Sequence, residues 1–161
     1  MTMNNKIYEG CNSEDRIKLD DALKLEREGL YDKALEIYLD VVNTNKQIPY
    51  AYASIGCIYY DKGDFRNAIL YLRKAVELNE TKINTWKLLI EVEEKEGQIN
   101  QAEKDYIRCI ELFPTEKLFY ADLGLIYEFK KMDSKALEIY QTLLDKFGAD
   151  EIIQKRIYNL K

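Results

Sequence analysis

The chain contains no histidine among its 161 residues. That removes the His-dependent catalytic triads and dyads and every His-ligated metal site. Proline occurs twice and glycine seven times, too few breakers for a β protein of many short strands and turns. Cysteine is scarce as well. Cys11, Cys57 and Cys109 are odd in number and never spaced as a CxxC pair, which argues against a disulfide framework and a thiolate metal site. The expected setting is reducing, the cytoplasm, and no metal or cofactor is expected. No stretch approaches the roughly 18 uncharged apolar residues of a membrane span, and MTMNNKIYEGC lacks the apolar centre of a secretory signal. An excess of positive charge is also missing: 24 basic against 29 acidic residues leave a net charge of −5. Neither nucleic acid nor an anionic membrane is therefore expected as a partner.

Apolar residues make up 47% of the chain and charged residues 33%, a balance that suits packed amphipathic helices better than disorder. Their order is periodic. Ala34, Ala68, Ala102 and Ala136 recur every 34 residues inside the related phrases YDKALEIY, FRNAILYL, INQAEKDY and DSKALEIY. Four windows follow without insertion, residues 15–48, 49–82, 83–116 and 117–150. Each carries two apolar stripes at helical spacing, such as Ile55, Ile58 and Tyr59, then Ala68, Tyr71, Leu72 and Ala75, around a break that contains glycine. Gly29, Gly63 and Gly97 are placed to end the first helix, and Asp32, Asn100 and Ser134 are expected to cap the second. Small side chains at Gly56, Gly124 and the four alanines mark where helices approach closely, with tyrosines filling the space beside them.

The period and these residue types resemble the tetratricopeptide repeat (TPR) family. The third window carries Trp86 and Pro114, and the second carries the Gly56, Tyr59, Gly63, Ala68 and Ala75 set. Glu93, Ile90 and Lys131 depart from the pattern, where an aromatic, a small residue and a glycine are usual. The resemblance implies an all-α protein, a right-handed α-α superhelix of four helix-turn-helix hairpins stacked as a solenoid. Residues 1–14 form an N-terminal segment that is expected to be loose before about residue 12, with Asn12 to Asp15 opening the first helix. Residues 151–161 resemble the family's terminal capping helix, packed by Ile153, Ile157 and Leu160.

Catalytic chemistry finds little support. Glu91, Glu93 and Glu94 lie beside Lys87 and Lys95 on one predicted helix, which reads as a solvated face with i, i+4 pairs. Cys57 and Cys109 fall among apolar neighbours and read as small buried hydrophobes. No enzyme is expected. What remains is a surface. In the resembled family the inner wall comes from the second, fifth, sixth, ninth, twelfth and thirteenth positions of each first helix. That mapping implies a peptide-binding groove containing Leu19, Leu23, Tyr50, Ala53, Cys57, Tyr60, Asn84, Lys87, Leu88, Glu91, Leu118, Ala121, Asp122, Leu125 and Phe129. Its middle is apolar and its rim acidic, through Asp20, Asp61, Asp122 and Glu128.

One subgroup of the family grips the acidic C-terminus of heat-shock chaperones with basic and amide side chains. The corresponding residues here are Leu19, Leu23, Ser54, Asn84 and Leu88, or, one repeat later, Ala53, Cys57, Leu88, Leu118 and Asp122. Neither set supplies a cation, so that activity is not expected. The expected role is a non-catalytic protein-interaction scaffold that takes an apolar or amphipathic peptide or helix from a protein partner. The alternative is a structural protein that uses the same surfaces for homo-oligomerisation, or a groove covered by its own N-terminal segment through Ile7 and Tyr8.

Overall fold

The computed structural model describes residues 7–161, and the described residues form α-helices and no strand. In chain order the helices are α1 (Ser13–Arg27), α2 (Tyr31–Thr44), α3 (Pro49–Asp61), α4 (Phe65–Leu78), α5 (Ile83–Lys95), α6 (Ile99–Leu112), α7 (Lys117–Phe129), α8 (Asp133–Phe147) and α9 (Glu151–Asn159). They belong to two compact units, one ending at Glu96 and the other beginning at Gly97.

In the first unit α1 packs on α2, α2 on α3, α3 on α4 and α4 on α5. Tyr38, Val41, Ile48 and Ile55 are fully buried between them, and complete burial of such a side chain contributes about 1.5–3 kcal/mol. The hairpins close through the residues that follow the first helix. Gly63 takes φ +74°, and the Asp64 amide reaches back to the Tyr59 carbonyl at 2.9 Å, the six-to-one bond of a Schellman turn. Asp64 is then already the cap of α4: its carbonyl accepts from Ala68 at 2.9 Å, and its side chain accepts from the Asn67 amide. The same arithmetic corrects the expected caps. Helices α2, α6 and α8 start from Leu30, Gln98 and Met132 without a side-chain cap. Asp32, Asn100 and Ser134 lie in the first turn instead, because the backbone turn has fixed the start two residues earlier.

Gly56 lets α3 meet α4, since a Cβ there would stand 2.5 Å from Leu72 Cγ. Trp86 is anchored by its indole N–H, which donates to the Glu80 carbonyl at 2.9 Å. Residues 1–6 lie outside the described residues. The rest of the segment expected to be loose is tied to the first unit over residues 7–11. Asn45 Nδ2 donates to the Gly10 carbonyl at 2.9 Å and Asn79 Nδ2 to Glu9 Oε2 at 2.8 Å, while the Tyr8 hydroxyl donates to Asp20 Oδ1. At Asn12 a capping box opens α1, with Asp15 as its reciprocal partner.

In the second unit α7 packs on α6 and α8, and α9 on α8. Tyr140 and Leu143 are fully buried, and a Cβ on Gly124 would lie 2.1 Å from Tyr140 Cε1. The Tyr120 hydroxyl donates to the Pro114 carbonyl at 3.1 Å, which repeats the Trp86 anchor one window later. Lys131 holds the turn conformation that glycine holds elsewhere, at φ 57°. Helix α9 is capped by Asp150, whose carboxylate accepts from the Ile152 and Ile153 amides. It buries Ile153, while Ile157 and Leu160 are partly covered.

Candidate functional site

The wall positions of the first unit lie on α1, α3 and α5. Leu19 is a correction: it is 0% exposed, inside the core among residues of α2 and α3. A leucine gains more by turning inward than does Lys87 at the same window position, whose charged end must reach water. Leu23, Tyr50, Ala53, Tyr60, Lys87 and Leu88 are partly buried, and Asn84 and Glu91 are exposed. Cys57, expected as a buried hydrophobe, is exposed, whereas Cys109 is buried. Burial of the thiol by neighbouring protein, together with the charges of Asp61 and Glu26, pushes the Cys57 thiol up to about 11, so it stays protonated at neutral pH.

Polar side chains fix the wall at two places. The Tyr60 hydroxyl donates to Glu91 Oε1 at 2.6 Å, and Lys95 Nζ reaches both that hydroxyl, at 2.5 Å, and Glu91, at 2.8 Å. Lys95 also lies 4.5 Å from the centre of the Tyr60 ring. The paired ammonium and phenol hold the Glu91 carboxyl below its ordinary value. Elsewhere the Tyr38 hydroxyl donates to Glu26 Oε2 at 2.9 Å. Burial raises the Glu26 carboxyl above the ordinary range, with that hydrogen bond pulling the other way.

In the second unit the wall positions lie on α7. Leu118, Leu125 and Phe129 are 56%, 40% and 71% exposed, beside the partly buried Ala121 and Asp122. Glu128 is occupied: the Tyr140 hydroxyl donates to it, and Arg156 Nη1 lies 3.0 and 3.2 Å from its two carboxylate oxygens. Among the described residues no three His, Cys, Asp or Glu side chains gather as a metal site, and no helix is long and apolar enough to cross a membrane.

A family model for the tetratricopeptide repeat matches residues 49–82, the second of the 34-residue windows. The second window is thus a tetratricopeptide repeat. Anaphase-promoting complex subunit 3 of Schizosaccharomyces pombe is 28% identical over 122 residues, 76% of this chain and 18% of that protein. The chain thus spans less than a fifth of the length of the curated relatives it matches. Among solved structures, the MamA protein superposes with a TM-score of 0.72 at 23% identity, over 91% of this chain and 80% of that one. The first TPR of Spaghetti (RPAP3), bound to the HSP90 peptide SRMEEVD, has a TM-score of 0.62 at 20% identity, over 76% and 98%. These likenesses show the fold, an all-α solenoid of TPR hairpins.

Some features of this TPR chain are not legible from residue types alone. The tyrosines at Tyr38 and Tyr140 read as space fillers, yet each hydroxyl is also bonded to a glutamate twelve residues earlier, Glu26 and Glu128. The recurring pairing of glutamate and tyrosine at that spacing is the signal that could have found them. Tyr8, read from the sequence as an apolar cover for the groove, also makes polar contacts. Its hydroxyl meets Asp20 and its ring lies 5.6 Å from the Arg16 guanidinium carbon, so the N-terminal segment reaches two wall positions of α1.

Proposed function

We propose that this TPR protein is a non-catalytic scaffold whose first-helix wall binds an apolar or amphipathic peptide from a protein partner. The carrying observation is the run of unsatisfied apolar surface on α7, where Leu118, Leu125 and Phe129 face outward from one helix. A cluster of large exposed apolar side chains is characteristic of interaction sites. In the first unit Leu23, Ala53 and Leu88 offer smaller apolar contacts among Tyr50 and Tyr60. A protein-interaction role agrees with the TPR family as a whole, and the three free thiols suit a reducing compartment.

Leu88→Asp and Leu125→Asp test the reading. Each places a charge against an apolar ligand while leaving the core intact. Capture of the partner should fall sharply in both variants, with melting within a few degrees of the parent. Retained capture with retained melting would move the binding site off this wall. A second reading, homo-oligomerisation, is favoured by the same strip and by Tyr158, 81% exposed on α9. It calls for mass that rises with concentration in sedimentation, and for loss of that rise in Leu125→Asp.

A further inference from the structure

Glu26 stands half-buried on the wall of the first unit with an aromatic surround. Tyr38 donates to its Oε2 at 2.9 Å, and the Tyr38 ring meets that of Tyr50 edge-on, with centroids 6.4 Å apart. The Ser54 hydroxyl faces both phenols. Further along α3, Cys57 lies within the field of both Glu26 and Asp61. Among the described residues, no lysine or arginine pairs with Glu26. Its neighbour Arg27 is exposed, and adjacent residues of a helix do not face each other. A carboxylate partly removed from water without a cation is an unfavourable arrangement that a bound cation would relieve.

The fourth repeat shows the same arrangement completed. Glu128 occupies the window position of Glu26, and Tyr140 that of Tyr38; the phenol again donates to the carboxylate. There, however, a guanidinium is present as well, with Arg156 Nη1 at 3.0 and 3.2 Å from the two oxygens. Counted from residue 151, Arg156 stands at the sixth position, where the second window has Ser54. A serine hydroxyl is too short to span that gap. The fold thus accommodates a guanidinium against this glutamate and tyrosine pair, and at Glu26 the chain does not supply one.

We propose that Glu26, with the phenols of Tyr38 and Tyr50 beside it, is a binding site for the arginine side chain of a peptide lying on this wall. The inference rests on the wall being a peptide-binding surface. It adds a chemical requirement to that surface, a guanidinium in register with its apolar contacts. A planar donor fork satisfies a carboxylate and can stack on an aromatic ring, which favours arginine over lysine.

The test uses the full chain and two synthetic peptides, leucine-rich, acetylated and amidated, that differ only in a central arginine or its uncharged isostere citrulline. Binding is followed by calorimetry and by the carboxyl carbon resonance of Glu26 in protein labelled at glutamate. The arginine peptide is expected to bind about tenfold more tightly and to move that resonance. The preference should vanish in Glu26→Gln, where the Tyr38 hydrogen bond retains an acceptor. It should vanish also in Ser54→Arg, which supplies the guanidinium from within; because Ser54 is 7% exposed, melting of this variant is measured alongside to establish that it folds. Equal binding of the two peptides, or an unmoved Glu26 resonance, overturns the inference and leaves the peptide-binding wall standing. Failure of both peptides to bind overturns the two readings together. An arginine preference that survives in both variants places the cation elsewhere and also overturns the site.

Discussion

Among the described residues other than glycine, Lys131 alone takes a positive φ. At φ 57° it holds a left-handed turn that Gly29 and Gly63 hold at 75° and 74°, and a side chain there costs about 1–2 kcal/mol. Part of that cost is offset because glycine is freer in the unfolded chain. Lys131→Gly is therefore expected to stabilise the protein by about 0.5–1 kcal/mol, read as a higher denaturant midpoint with an unchanged slope. An unmoved midpoint would mean that the lysine is unstrained. Lys131 is exposed, so few packing contacts complicate the measurement. Leu19 and Leu23 are chemically identical and four residues apart, yet only Leu19 enters the core.

Between helices, the close approaches at Gly56 and Gly124 look alike in sequence but have different tolerances. Alanine would favour either helix by up to about 1 kcal/mol if space allowed. At Gly124 the obstacle is the Tyr140 ring, 2.1 Å from the added Cβ and held by its hydroxyl on Glu128. At Gly56 the nearest atoms are Leu72 Cγ and Cδ2, at 2.5 and 2.8 Å, on a side chain with no hydrogen bond to hold it, with the Leu72 backbone nitrogen behind them at 3.2 Å. Gly124→Ala should cost about 1–3 kcal/mol and Gly56→Ala distinctly less, by chemical denaturation. Equal effects would show that the Tyr140 ring moves as freely as a leucine. Helix existence and spacing were legible because the small side chains repeat every 34 residues and steric closeness leaves few substitutes. Helix starts were less so. Asp32, Asn100 and Ser134 have capping side chains, but the preceding backbone turn decides the start, and residue type does not report it. The glutamate and tyrosine hydrogen bonds were missed because they join side chains of different helices.

For the molecule as a whole, the apolar stripes need a covered last face, and in the second unit α9 supplies one on α8. Ending the chain at Asp150 would uncover the site of Ile153, worth about 1.5–3 kcal/mol when fully buried, and would strip Arg156 from Glu128. Such a truncation should melt lower and scatter more light at equal concentration. Unchanged melting and scattering would make the tail dispensable. The net charge of −5 opposes self-association and favours any cationic peptide in a general, salt-sensitive way, which is distinct from a preference lost on changing Glu26 alone. The anchors at Trp86 and Tyr120 carry a further consequence. Each side chain spans a fixed six-residue stretch of chain to the carbonyl of Glu80 or Pro114, like a peg in a ratchet. One residue added to either connection would slip the peg, whereas a whole 34-residue tooth would leave every peg seated. Such a chain is built to accept complete teeth more readily than small insertions.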